Sequence, residues 1–204
     1  MTLVGTVMNQ WNNDRYTKKA RNENYAARSI YKLEEIDSRE KILRGALSIV
    51  DLGASPGSWT QYCLKKLNAK GRVIAIDPSP IQPSDPRLLK IEKQIQEVDW
   101  ETIKPDGGFD LVLSDMAPKT TGVHSTDVAR SLELAELALE VARAHLKKGG
   151  HFVVKVFMGD DFDGYRKSVQ TIFKDLRIIR PDSTRKQSRE VFLVGKYKKG
   201  MELL

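Results

Sequence analysis

The chain has 204 residues, 40% hydrophobic and 30% charged, with a formal net charge of +7. That length and balance suit one folded domain spanning residues 1–204 with a sizeable core, not a disordered chain. No apolar run approaches the roughly 20 residues of a membrane helix, no cleavable leader pattern opens the chain, and a lone cysteine, Cys63, rules out an internal disulfide or a cysteine-rich zinc site; a cytoplasmic, metal-free protein is expected.

In chain order, residues 1–24 are polar and show no sustained period, which reads as a partly disordered arm. Cations and rings mingle there and just beyond: Arg15, Lys18, Lys19, Arg21 and Arg28 with Trp11, Tyr16, Tyr25 and Tyr31. Ile30, Leu33 and Ile36 recur at helical spacing and predict a helix over about 26–36, with Lys32 beside its apolar stripe. Leu47 to Val50 is a strand-like run closed by Asp51 and Gly53, and Pro56-Gly57 leads into a helix reaching Leu67. The strand RVIAI and a proline-rich turn follow, and then LLKIEKQIQEVD, which is ambiguous between helix and strand. FDLVLSD is a strand, and an amphipathic helix from about Asp127 is expected to stop at Gly149-Gly150. The strand HFVVKVF, a helix over about 162–173, a strand near 176–179, the basic turn PDSTRKQSRE and a strand VFLVGKY complete the pattern. Strands alternating with helices predict an α/β fold with a mostly parallel, doubly wound sheet, and the tight link to the last strand predicts an antiparallel hairpin at one edge.

The segment DLGASPGSW, which turns from a buried strand into a helix, is the candidate cofactor loop, with Gly53 and Gly57 as its glycines. It lacks the third glycine of the dinucleotide fingerprint and the Gly-Lys-Ser/Thr of a P-loop. Acids stand at or just past four expected strand ends, namely Asp51, Asp77, Asp99 and Asp115. Such a crevice repels phosphate and suits a ligand with hydroxyls and a positive charge; S-adenosylmethionine fits. Residues 46–173 carry sixteen Lys/Arg against seventeen Asp/Glu, whereas 1–45 carry nine against six and 174–204 nine against four. Basic ends around a neutral middle imply an anionic macromolecule laid over the site, and the interleaved rings favour RNA. Arg15, Lys18, Lys19, Arg21, Arg28, Arg185, Lys186 and Arg189 are the candidate contacts. Lys155 stands out, because it interrupts an apolar strand expected to be internal, where an ammonium is costly without partners.

Lys32 in SIYKL, the loop DLGASPGSW, Asp115 in SDMAP, Lys155 in VVKVF and Glu190 in PDSTRKQSREVF together resemble the FtsJ-like ribose 2′-O-methyltransferases that act on large-subunit ribosomal RNA, over about residues 10–198. The resemblance implies a Rossmann-like S-adenosylmethionine-dependent methyltransferase fold of seven strands, the last inserted antiparallel. It also implies a catalytic tetrad of Lys32, Asp115, Lys155 and Glu190, cofactor positions at Gly57, Trp59, Asp77, Asp99 and Asp115, and a uridine of ribosomal RNA as target. The chain departs from the family in having Gly57-Ser58 where relatives commonly have two glycines, and Val98 where they have a small residue. A ribose hydroxyl is a poor nucleophile, so methyl transfer needs alignment and either proton removal or stabilisation of the oxygen. Lys155 can serve either purpose. Transfer RNA anticodon loops are the alternative substrate. A non-catalytic RNA-binding protein would not need all four tetrad residues, and a small-molecule methyltransferase would not need the basic ends. A monomer is expected.

Overall fold

The computed structural model describes residues 15–185 and 187–200, so Trp11 and Lys186 lie outside the described residues. Seven strands, β1 (Ser48–Leu52), β2 (Arg72–Ile76), β3 (Leu88–Ile91), β4 (Phe109–Ser114), β5 (Leu146–Phe157), β6 (Phe173–Ile179) and β7 (Glu190–Lys198), form one sheet in the order β3-β2-β1-β4-β5-β7-β6. The first five pair in parallel, and β7 runs antiparallel between β5 and β6. The central strands read as unbroken apolar runs because both faces are covered. On one face, Ile49, Leu111, Val153 and Phe192 pack with Leu33 and Ile36 of α2 (Ile30–Glu40) and Trp59 and Cys63 of α3 (Ser58–Lys66). On the other, Val50, Val112, Val154 and Leu193 pack with Ala138 and Ala142 of α5 (His124–His145) and Val169 of α6 (Phe162–Ile172). A single turn, α4 (Trp100–Ile103), precedes β4. Among the described residues no helix is long and apolar enough to cross a membrane.

Three local expectations change. Arg15–Asn22 is a helix, α1, inside the segment read as an arm. Tertiary contacts hold it where its own polar sequence offers no apolar stripe: Ala20 is buried, and the Tyr16 ring lies 5.6 Å from that of Tyr31. Helix α5 ends at His145, short of the glycines, and β5 begins at once with Leu146. Gly149 and Gly150 instead lie within a strand whose pairing to β4 shifts register between Phe109 and Leu111. Gly149 has φ +79°, and a Cβ on Gly150 would stand 2.8 Å from Leu146 Cγ, as expected where a strand bulges. Finally, LLKIEKQIQEVD divides into β3 and a 3₁₀ turn at Ile95–Glu97.

Candidate active site

The strand order reverses between β1 and β4, and open α/β sheets place ligands at such a switch point, beyond the strands' carboxyl ends. A crevice of about 450 Å³ lies there, lined by residues following β1 (Gly53, Ser55), β2 (Asp77, Ser79) and β4 (Asp115, Met116). Gly53 has φ +73°, and a Cβ on it would stand 2.6 Å from Met116 Cγ and 2.9 Å from Met116 Cα, so only glycine lets the two loops meet. The Gly53 amide donates to Ile76 O at 2.9 Å, which ties the loop to β2. Gly57 (φ +121°) packs against Pro83, where a Cβ would lie 2.2 Å from the ring. Asp77 accepts from the backbone amides of Ser55 (3.1 Å) and Ser79 (2.7 Å), one on each oxygen, which fixes the carboxylate at the crevice wall with lone pairs remaining.

The four acids do not share one environment. Asp77 and Asp115 line the crevice. Asp51 points to the helical face beneath it, is fully buried, and accepts from Thr60 Oγ1 at 2.7 Å, while its Oδ1 has no hydrogen-bond partner. Burial pushes its carboxyl up to about 7; the Thr60 hydroxyl opposes the shift, and the Asp115 and Asp77 charges add to it. Asp99 is exposed and caps α4, accepting from Glu101 N at 3.2 Å; it is not part of the crevice lining. Trp59 is likewise placed in the core, its Nε1 donating to Ser29 O at 2.9 Å and its ring 5.7 Å from Phe192.

Beside the crevice stand two lysine–carboxylate pairs. Lys155 Nζ, with its side chain 6% exposed, donates to both the backbone carbonyl and the carboxylate of Asp115, the latter at 2.9 Å. Lys32 Nζ pairs with Glu190 at 2.6 Å. Sheet register brings the pairs together. Lys155 is directly opposite Phe192, so Glu190, two residues earlier on β7, shares its face one diagonal step away, roughly 7–8 Å. Thr184 Oγ1 donates to Glu190 Oε1 at 3.2 Å and holds the carboxylate from behind. The sequence pattern does not reveal Thr184, since a threonine in a basic turn carries no periodic or charge signal.

The basic residues are divided between two places. Arg15, Lys18, Lys19 and Arg21 are exposed on α1. The rings expected to stack on bases are instead engaged within the chain: Tyr31 is buried with the Lys19 ammonium 4.3 Å over its ring, and Lys65 lies 5.6 Å over Tyr25. Arg28, Arg185 and Arg189 lie beside the second pair or on the β6–β7 turn, which docks on α2 and the segment just before it through Asp182 N to Glu35 Oε2 and Arg28 to Ser183 O.

Residues 25–198 match the model of the FtsJ-like methyltransferases. The chain belongs to the FtsJ-like methyltransferase family. Relatives named ribosomal RNA large subunit methyltransferase E include one from Bdellovibrio bacteriovorus, 50% identical over 91% of this chain and 97% of that protein, and one from Desulfatibacillum aliphaticivorans, 45% identical over 94% and 93%. Among solved structures, a Plasmodium falciparum protein described as a ribosomal RNA methyltransferase superposes with TM-score 0.75 at 29% identity, over 86% of this chain and all of that one. Human methyltransferase-like protein 13, solved in complex with SAH, shares the fold at TM-score 0.54 and 16% identity, over 86% and 82%. The mostly parallel sheet expected from the strand pattern, and the seven-stranded Rossmann-like fold implied by the resemblance, are thus what this FtsJ-like chain adopts.

Proposed function

We propose that this protein transfers a methyl group from S-adenosylmethionine to a ribose 2′-hydroxyl, on a uridine of large-subunit ribosomal RNA. The observation that carries the reading is the pair of lysine–carboxylate contacts at the rim of the crevice lined by Asp77 and Asp115: one buried ammonium between the crevice and β7, and a second beside it with its own acid. The crevice fits the cofactor, because its volume is in the range for small-molecule sites and the carboxylates of Asp77 and Asp115 on its wall can accept from hydroxyls or an ammonium, with Lys93 and Lys119 also in the lining. S-adenosylmethionine supplies an electrophilic methyl. The rest falls to the chain's own groups. Lys155, aimed by two bonds to Asp115, has a third direction left for the acceptor oxygen: as an ammonium N–H it would stabilise charge there, and as the lone pair of the neutral amine it would take the hydroxyl proton. Glu190, braced by Thr184, keeps the Lys32 ammonium beside the same oxygen.

The reading is tested by incubating the protein with methyl-labelled cofactor and, separately, ribosomal subunits, free ribosomal RNA and transfer RNA, then mapping the label. A labelled ribose in large-subunit RNA supports it; label on a base, on a small molecule or only on transfer RNA overturns it. Two variants dissect the surfaces. Asp77→Ala should weaken cofactor binding by about 1.5–3 kcal/mol, the scale of charge-assisted hydrogen bonds, and calorimetry showing unchanged affinity would remove Asp77 from the site. Replacing Arg185, Lys186 and Arg189 by alanine should lower RNA affinity and flatten its dependence on salt by about one unit of slope for each phosphate no longer neutralised, with cofactor affinity unaltered. An unchanged slope would make the basic turn purely structural.

A further inference from the structure

Five of the six phenylalanines are buried in the two core clusters, and Phe157 is the exception. It ends β5, is part-buried, and among the described residues belongs to neither cluster and has no ring contact. A lone ring of this kind needs no explanation elsewhere on a surface; here its position supplies one. Alternation along β5 turns Phe157 to the same face as Lys155, one step nearer the rim, roughly 7 Å along the strand. The register sets it directly opposite Glu190, whose carboxylate holds the Lys32 ammonium. Opposed residues of an antiparallel pair have Cβ atoms about 4.5–5.5 Å apart, so the ring stands beside that acid, on the solvent side of Lys155. Its backbone is fixed from two directions: the Phe157 amide donates to the buried Ser131 Oγ of α5 at 3.0 Å, and the Met158 amide to Arg189 O at 3.0 Å. The next ring on this face, Phe192, is fully buried against Trp59 and has nothing to offer a ligand.

We propose that Phe157 is the platform on which the base of the target nucleotide stacks. The inference rests on the ribose 2′-hydroxyl reading. A base hangs from C1′, next to the carbon that carries the 2′ oxygen, so a nucleoside whose 2′ oxygen meets Lys155 brings its base close to that lysine. At that range, on the same face and towards the solvent from which RNA arrives, stands the Phe157 ring. The N-terminal rings cannot take this part as they stand, because lysines of this chain lie over Tyr25 and Tyr31. Every base has a flat π-face, so the contact orients the nucleoside for transfer without reading which base it carries. It also narrows the substrate class. A base inside a continuous helix has both faces covered by its neighbours; one that stacks on Phe157 is lifted out of its own strand's stack, as in a single-stranded loop or bulge.

The test uses large-subunit RNA ligated around a synthetic segment in which the target is either the natural nucleotide or an abasic ribose that keeps its 2′-hydroxyl and both phosphates. In single turnover with saturating cofactor, the wild type should methylate the abasic ribose about 5- to 100-fold more slowly, the range that one base–aromatic stack spans. Phe157→Leu, which keeps an apolar side chain but no ring, should lose a similar factor on natural RNA and little further on abasic RNA. Phe157→Tyr should keep the wild-type rate on natural RNA, and both variants should bind cofactor as the wild type does. Equal wild-type rates on the two RNAs overturn the inference without recourse to any variant. It is also overturned if Phe157→Leu keeps the wild-type rate, stays as sensitive as the wild type to loss of the base, or binds cofactor more weakly, or if Phe157→Tyr is as slow as Phe157→Leu. Absence of ribose methylation on natural RNA by the wild type overturns the underlying reading instead.

Discussion

Lys155→Ala is expected to reduce methyl transfer by roughly 100- to 10,000-fold, the range for removing a group that stabilises or deprotonates a reacting oxygen, while the protein stays folded and binds cofactor. The crevice proposed for the cofactor is lined by Asp77, Asp115 and the glycine loop, and Lys155 is not itself part of that lining. Lys155→Arg should fail to rescue. The ammonium is enclosed, 6% exposed, between Asp115 and the β7 face; a larger planar guanidinium does not fit its two converging acceptors and never deprotonates. Single-turnover rates across pH distinguish the roles: a rate that climbs into alkaline pH marks a base, and a flat profile marks an electrostatic anchor. An alanine variant that methylates RNA at near wild-type rate would return Lys155 to a packing role.

Asp51→Asn should have the largest effect on stability. In the unfolded chain this carboxyl ionises near its ordinary 3.8, but in the fold burial holds it up to about 7. As pH rises the unfolded chain therefore loses its proton first, and stability falls between about pH 4 and 7 by roughly 4 kcal/mol before levelling off. Asparagine keeps an acceptor for Thr60 Oγ1 and has nothing to ionise, so urea unfolding of the cofactor-free variant should lose that fall. Its amide N–H₂ meets a site where Oδ1 has no partner, a cost of about 1–3 kcal/mol that applies equally at every pH. The decisive quantity is thus the difference between pH 5 and pH 8; variants with parallel pH profiles would show that Asp51 ionises in the fold without penalty.

The sheet was legible because its central strands are β-branched runs long enough to be unambiguous, and Lys155 was visible as a charge where the pattern allowed none. What escaped the sequence depends on contacts between distant segments. Helix α1 is polar throughout and exists through Ala20 and Tyr16. The glycines at 149 and 150 are equally good helix stops and strand bulges until β4 supplies a partner. At the site, the acids past β2 and β4 line the crevice, but nothing local distinguishes them from Asp51, which the strand's alternation turns towards the helices, or from Asp99, which a following short helix recruits as a cap. Thr184 acquires its place only when the β6–β7 turn folds onto α2.

The reversed direction of β7 divides the molecule's labour. Because β7 runs opposite to β5, its first residue, Glu190, is delivered to the same rim where β1, β2 and β4 end, and the turn that precedes it arrives there as well. One hairpin thus brings Glu190 to the Lys32 ammonium and arginines to the outside, while the crevice is built from a different stretch of chain, Gly53 to Lys119 and the middle of α5. On the proposed reading, insertions or deletions in that hairpin would retune which nucleic-acid shape is accepted without disturbing the half proposed to hold the methyl donor. New targets would then be within reach of a change to a single loop.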